Sequence, residues 1–175
     1  MGDEISTIEG ASLIGSALGD RMLALNNAHA EELSLLDADH LKRLIDHAFL
    51  ALSVGEGDAF LIAFDQDAAY DNPNFNWFRE RLDGFVYVDR IVVDARARGR
   101  GFARRLYDEL FRRARQAGHD RIVCEVNSRP PNPASDAFHA DLGFVEMGAG
   151  VIHGGAKSVR YLSRRLVVDE QLVRA

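Results

Sequence analysis

The feature that most constrains the fold is one block of sequence in which an apolar run, a glycine-containing turn and an amphipathic pattern follow one another. Phe85–Val93 (FVYVDRIVV) is almost entirely apolar or aromatic, which predicts a central strand covered on both faces. Over Phe102–Gln116 apolar residues recur at every fourth position, which predicts a helix with arginines on its other side. A strand that leads through a tight turn into a helix indicates a mixed domain, α/β or α+β.

The rest of the chain continues this alternation of strands and helices. A helix is predicted to begin after Asp37, which can cap it, and another spans Ser135–Leu142. The aromatic segment Tyr70–Phe78 is interrupted by Pro73 and is interpreted as a loop or a short helix. Further strands are predicted over Met22–Leu25, Phe60–Phe64, Ile122–Val126, Phe144–Met147 and Val159–Leu166.

Length, charge and cysteine content exclude several classes of protein. The chain has 175 residues, a net charge of −6 and a single cysteine, Cys124, so a four-thiolate zinc site is excluded. The negative charge argues against a general nucleic-acid surface. No apolar run approaches the roughly 18 residues that a membrane span needs. We therefore predict a cytoplasmic protein with no metal and with neither a nucleic-acid nor a membrane partner.

One domain with short flanking segments is expected. Residues 1–20 are small and mixed, show no clear period, and are interpreted as an N-terminal extension. Residues 21–166 are expected to form the domain, and residues 167–175 a C-terminal tail. The length of the middle segment is ordinary for a single domain.

The turn between the central strand and the long helix predicts a phosphate site. Its sequence from Arg96 to Ala103 is RARGRGFA, in which Gly99 and Gly101 let a ligand approach the backbone next to a helix N-terminus. A Walker A loop is excluded because the chain has no Gly-Lys pair, and a dinucleotide fingerprint would need glycine where Arg104 stands. A tight turn beside a solvated arginine face is the alternative.

With its flanks, this segment resembles motif A of the GNAT N-acetyltransferase superfamily. The pattern is a strand ending in valine, then Arg96-x-x-Gly99-x-Gly101, then an apolar helix. A second block also resembles the family: Asn132 in a proline-rich loop, followed by a helix that ends at Gly143-Phe144. The two blocks are well separated and in the family's order, and the general resemblance runs from Met22 to Leu166.

The resemblance implies a mostly antiparallel sheet with splayed fourth and fifth strands, and acetyl-CoA as co-substrate. It also implies acetyl transfer to a primary amine, on a small molecule or a peptide, by a monomer or a homodimer. A non-catalytic CoA-binding module of the same fold is the alternative. The implied cofactor contacts are Ile91, Val92, Val93, Arg98, Gly99, Arg100, Gly101, Phe102, Ala103 and Asn132.

Acetyl transfer needs a group that accepts a proton from the amine and a group that protonates the CoA thiolate. Glu125, a carboxylate on a predicted apolar strand, is the favoured base, with a structural ion pair as the alternative. His139 stands where the family usually has its tyrosine acid. It is the candidate acid, unless it merely packs or caps and Tyr107, Tyr87 or water serves instead.

The acceptor pocket is the least constrained part of the prediction. Asn26 and Asn27 are candidates because they follow the first predicted strand, and turn formation is the alternative. Trp77 is a candidate pocket wall or core residue. Asp89 lies inside the central strand and is either an acceptor contact or base, or a structural partner of an arginine such as Arg90.

Overall fold

A computed structural model describes residues 2–167 of the chain. The strands are β1 (Ile5–Thr7), β2 (Leu50–Val54), β3 (Ala59–Asp65), β4 (Val86–Val93), β5 (Arg121–Arg129), β6 (Val145–Ile152) and β7 (Lys157–Arg165). The helices are α1 (Ala17–Ala28), α2 (Ala38–His47), α3 (Pro73–Arg79), α4 (Phe102–Gln116) and α5 (Pro133–Asp141). Short 3-10 turns occur at Gly10–Ser12, Ala95–Ala97 and His153–Gly155.

The seven strands form one sheet in the order β1–β2–β3–β4–β5–β7–β6. The pairs β1–β2, β2–β3, β5–β7 and β6–β7 are antiparallel, whereas β4 and β5 are parallel. The parallel register joins Val86 to Ile122 and Tyr87 to Val123, at the start of both strands. The predicted class, a mixed and mostly antiparallel sheet flanked by helices, is therefore confirmed.

The chain divides into two compact units, each built from two separate segments. The first unit contains the residues up to Ala69 together with Val88–Leu110. The second contains Tyr70–Tyr87 together with the residues from Phe111 onward. The segments of the two units therefore alternate along the chain.

In the first unit, the apolar faces of α1 and α2 are buried together with strands β2 and β3. Met22 of α1 and Leu41 of α2 are buried, as are all residues of β2. Asp37 caps α2 as predicted, because its carboxylate accepts a hydrogen bond from the His40 backbone N–H at 2.7 Å. The helices α1 and α2 contact each other, and α2 also contacts β3.

In the second unit, an aromatic cluster forms the core around α3. The rings of Phe75 and Phe85 meet edge to face with centroids 5.6 Å apart, and Phe78 meets Tyr161 in the same way at 5.2 Å. Such pairs add to the stabilisation from burial. The aromatic segment around Pro73 therefore forms a short helix that supplies core residues.

Most predicted elements are present, with two corrections near the N-terminus. Met22–Leu25 is not a strand but lies inside α1. That helix begins after Ser16, whose hydroxyl oxygen accepts a hydrogen bond from the Gly19 backbone N–H. The predicted extension 1–20 supplies β1, which pairs with β2, and the first residues of α1. Of the predicted tail, residues 168–175 lie outside the described part of the chain. No helix among the described residues is long and apolar enough to span a membrane.

Candidate active site

The glycine turn of the first unit has an open backbone. Gly99 and Gly101 have φ values of 78° and 76°, a region that favours glycine. Beyond each glycine and its two chain neighbours, no heavy atom lies within 4 Å of the position a Cβ would take. Asp94 opens the turn by accepting the Arg96 backbone N–H at 2.8 Å. Hydrogen bonds from Arg96 lower the pKa of Asp94 to about 2. Arg96, the first residue of the Arg96-x-x-Gly99-x-Gly101 motif, therefore stabilises the start of the turn through its hydrogen bonds to Asp94.

The other predicted residues of this turn differ in exposure. Arg98 and Arg100 are exposed, whereas Phe102 is buried as the first residue of α4. The guanidinium groups of Arg100 and Arg105 lie over the Phe102 ring, 4.6 Å and 5.8 Å from its centroid. Cation–π contacts of this kind hold the two arginines beside the turn. Positive charge and open backbone at one place suit an anionic, phosphate-bearing ligand.

The strand residues predicted to hold the cofactor lie in the second half of β4. Val92 is buried, and Ile91 and Val93 alternate with it as half-buried residues. Their placement directly before the turn agrees with the order predicted from the sequence.

A hydrogen-bonded network surrounds Glu125 in the second unit. Glu125 Oε1 accepts hydrogen bonds from the Asn74 side-chain amide at 3.0 Å and from the Tyr87 hydroxyl at 3.1 Å. The Tyr161 hydroxyl donates to Asn74 Oδ1 at 3.1 Å. Because a carboxylate only accepts, Asn74 must turn its NH₂ toward Glu125, and Tyr161 must keep its proton. Burial, followed by the charge of Glu125, raises the pKa of Tyr161.

The register of the sheet explains why these residues meet. Glu125 of β5 and Tyr161 of β7 are direct cross-strand partners, so their side chains share a face. Asn74 and Trp77 lie three residues apart on α3 and therefore share a face of that helix. The sequence placed Glu125 on a strand, but cross-strand and helix-to-sheet partners are not visible without the register. Asn74 and Tyr161 were missed for this reason.

Trp77 stacks on this network. Its ring lies on Tyr161 with centroids 4.0 Å apart and planes 16° from parallel, and the Arg81 guanidinium lies 4.3 Å from the Trp77 centroid. Gly148 of β6 makes room for the indole, because a Cβ there would lie 2.5 Å from Trp77. Trp77 is half-buried. The structure thus brings one predicted acceptor residue next to the predicted base, through Tyr161.

His139, the predicted acid, is buried on α5, and its role remains a prediction. Its Nδ1 lies 2.8 Å from the Ser135 carbonyl oxygen, which can only accept, so Nδ1 carries the proton. Burial lowers the pKa of His139 and favours the neutral ring. A neutral ring has one N–H, and here that N–H is donated to Ser135. The alternative interpretation, in which His139 packs and caps, agrees with these contacts, including those to Phe138 and Phe144.

Asn132 serves the same helix. Its side-chain oxygen accepts the Ser135 backbone N–H at 3.2 Å, which makes it the N-cap of α5, directly before Pro133. Its predicted contact with the cofactor remains a prediction.

Asn26, Asn27 and Asp89 lie in one hydrogen-bonded group of the first unit, and their role as acceptor residues remains a prediction. The Asp89 carboxylate accepts from Arg90 Nε at 2.6 Å, and the two side chains are only 4% and 5% exposed. Arg90 also donates to Asn26 Oδ1 at 2.7 Å. Asn27 Oδ1 accepts from the Asn26 amide and from the Leu36 backbone N–H. The premise that both asparagines follow a strand was wrong, because they lie inside α1.

Comparison with known proteins agrees with this fold and these motifs. Residues 74–144 match the sequence model of the Acetyltransferase (GNAT) family. Glucosamine 6-phosphate N-acetyltransferase 1 of Oryza sativa subsp. japonica is 31% identical over 119 residues, which are 68% of this chain and 61% of that protein. The chain thus spans less than two thirds of the length of this relative. The predicted resemblance to the GNAT acetyltransferases is therefore confirmed by a family-model match and by curated relatives named as N-acetyltransferases.

Solved structures show the same fold. The ribosomal-protein-S18-alanine N-acetyltransferase from Escherichia coli superimposes with a TM-score of 0.66 at 16% identity, covering 97% of both chains. The protein yncA from Salmonella typhimurium, solved with its cofactor acetyl-CoA, gives a TM-score of 0.66 at 19% identity and covers 94% of both chains. At these identities the likeness concerns the fold.

Proposed function

We propose that this chain transfers the acetyl group of acetyl-CoA to a primary amine, with Glu125 as the base. The observation that carries this proposal is the carboxylate of Glu125, held at one oxygen by the neutral donors of Asn74 and Tyr87 beside the stacked pair of Trp77 and Tyr161. A carboxylate oriented in this way is suited to accept a proton.

Acetyl-CoA supplies an activated acyl group as a thioester. The amine nitrogen attacks the acyl carbon, so that a C–N bond forms while the C–S bond breaks and the sulfur leaves with the electron pair. The amine gives up one proton, which Glu125 accepts directly or through a water, and an equivalent proton from solvent reaches the thiolate. His139 has no place in this scheme, because its N–H is donated to Ser135.

The glycine turn is proposed to hold the phosphates of acetyl-CoA. Backbone N–H groups from Arg98 to Ala103 and the side chain of Arg100 would bind them, and the strand from Ile91 to Val93 would hold the pantetheine arm. The open backbone at Gly99 and Gly101 supports this fit, since no side chain fills the space beside either glycine.

Thermal unfolding with acetyl-CoA, CoA and NADH tests the cofactor. A ligand present at about 100 times its Kd stabilises the native state by about 2.7 kcal/mol. We expect acetyl-CoA and CoA to raise Tm, and NADH to leave it unchanged. If millimolar acetyl-CoA does not change Tm, the proposal is wrong.

Turnover is then tested over a panel of amines. The panel includes an amino-sugar phosphate and a peptide with a free N-terminal alanine, because two similar proteins are named for acceptors of these kinds. With an amine that is turned over, Glu125→Gln is expected to lower kcat/KM by at least about 100-fold. Glu146→Gln, a carboxamide on the exposed side of β6, is the matched control and should keep the wild-type rate. Cofactor binding without turnover of any amine would favour the CoA-binding module instead.

A further inference from the structure

The N-terminal segment of the first unit reaches the arginines of the glycine turn. We propose that Asp3 competes with the phosphates of acetyl-CoA for Arg100 and Arg105, and thereby sets the affinity of the chain for this cofactor. This inference rests on the proposed function, because it takes the glycine turn to be the phosphate site.

Two arginines converge on this one acidic residue. Asp3 Oδ1 accepts a hydrogen bond from Arg100 Nη2 at 2.5 Å, and the Asp3 backbone oxygen accepts one from Arg105 Nη2. Both arginines are the ones that lie over the Phe102 ring at the start of α4. Carboxylate and phosphate oxygens use the same guanidinium N–H groups. A phosphate that binds these same N–H groups therefore competes with the Asp3 carboxylate at Arg100 and with the Asp3 backbone oxygen at Arg105.

The backbone after Asp3 is anchored, so the carboxylate stays close to the turn. The Gly55 N–H donates to the Glu4 carbonyl oxygen at 3.1 Å, and β1 begins at Ile5, which is paired with Val54. These backbone hydrogen bonds leave little conformational freedom between Asp3 and strand β1. The carboxylate therefore acts at a high effective concentration, as a tethered competitor does.

The contact is weak enough to be displaced. The side chains of Asp3 and Arg100 are 56% and 49% exposed, and ion pairs with this exposure contribute little because water and salt screen them. A competitor of this strength changes the affinity for a ligand without blocking it. We expect its removal to tighten acetyl-CoA binding about two- to fivefold.

Titration calorimetry of the full chain at fixed ionic strength tests the proposal. Asp3→Asn removes the charge and keeps the size of the side chain, and Glu4→Gln removes the charge of the next residue as a matched control. The two probes are acetyl-CoA and acetylpantetheine, which carries the same thioester arm without phosphates. We expect Asp3→Asn to raise the affinity for acetyl-CoA about two- to fivefold and to leave the affinity for acetylpantetheine unchanged. We expect Glu4→Gln to change neither affinity by as much as about twofold.

A double-mutant cycle separates competition from a general charge effect. Arg100→Gln is expected to weaken acetyl-CoA binding, and Asp3→Asn added to it should bring a smaller gain than in the wild-type chain. An unchanged or weaker affinity in Asp3→Asn would overturn the competition and show that Asp3 instead orients the arginines. Equal tightening of acetylpantetheine would also overturn it. If the wild-type chain and Asp3→Asn both fail to bind acetyl-CoA, the proposed function itself fails, whereas binding without tightening refutes only the role of Asp3.

Discussion

Two carboxylates on neighbouring strands of the sheet, Asp89 of β4 and Glu125 of β5, look alike in the sequence but have different surroundings. Both interrupt apolar strands, and each was a candidate base. Asp89 lies in the first unit against a cation, whereas Glu125 lies in the second unit and accepts hydrogen bonds from neutral groups. The partners of a carboxylate, rather than its place on a strand, decide whether it can act on a ligand.

The pair of Asp89 and Arg90 is a structural element. Arg90 neutralises Asp89 and also binds Asn26 of α1, so one guanidinium joins a strand to a helix within the first unit. Removing either partner would leave the other as an uncompensated buried charge, which is costly. At Glu125, the Oε1 atom accepts hydrogen bonds from an amide and a phenol, which lie on α3 and β4. This difference in partners is the reason that Glu125 rather than Asp89 is proposed as the base.

The largest expected effect comes from breaking the buried ion pair. Arg90→Leu removes the cation beside Asp89 and should lower the free energy of unfolding by about 3–5 kcal/mol, measured by urea denaturation. Arg96→Leu is the matched control, because Arg96 also pairs with an aspartate, Asp94, but with 81% of its side chain exposed. The control should lose at most about 1 kcal/mol. Equal losses in the two variants would show that burial does not distinguish the pairs.

The second prediction concerns the neutral network around Glu125. Asn74→Leu removes the amide that joins Tyr161 to Glu125, and should lower the free energy of unfolding by about 1–3 kcal/mol because two buried polar groups lose a partner. Asn76→Leu changes a neighbouring asparagine of α3 that bonds to Asp71 and Arg79 at the surface, and should lose less than about 1 kcal/mol. If Asn74→Leu is as stable as the wild type, the network does not hold Glu125.

The smallest expected effect is the pH dependence due to His139. Burial lowers its pKa in the folded state below the unfolded value of about 6.5, so the unfolded chain binds the extra proton more readily. The contribution of His139 to stability is therefore complete above about pH 6.5 and is lost as the pH falls below that value. The slope due to this one group is at most about 1.4 kcal/mol per pH unit.

The effect is measured as the difference in unfolding free energy between pH 7.5 and pH 5.5. His139→Gln should reduce this difference, whereas His40→Gln, at an exposed position of α2, should leave it as in the wild type. An unchanged pH dependence in His139→Gln would contradict the assignment of a buried, neutral ring.

The sequence predicted local elements better than partners. The strand before the glycine turn and the helix Phe102–Gln116 are as predicted, because a pattern of apolar residues and two glycines determines both within the segment itself. Met22–Leu25 was predicted wrongly, because four apolar residues do not distinguish a strand from a buried helix turn without the Ser16 cap. Short apolar runs need their flanking caps to be assigned.

The same limit applies to the candidate site. Glu125 could be singled out as a polar residue in an apolar strand, but Asn74 and Tyr161 lie 51 and 87 residues from their partners in this network. The His139 N–H is donated to Ser135, four residues earlier on the same helix. Predicting this hydrogen bond requires the orientation of the ring as well as the spacing of the two residues. The direction of a hydrogen bond follows from three-dimensional contacts. The distinction between a candidate base, a candidate acid and a packing residue depends on that direction.

The interleaving of the two units has a consequence for how the chain can be made. During synthesis from the N-terminus, the first unit stays incomplete until Leu110 has been added, by which time Tyr70–Tyr87 of the second unit has already been added. Neither unit is a contiguous stretch that could leave the ribosome and fold before the other begins. The glycine turn and the residues on either side of it are therefore synthesised after the other segment of the first unit. A ribosome paused before residue 88 would present the first unit without its glycine turn.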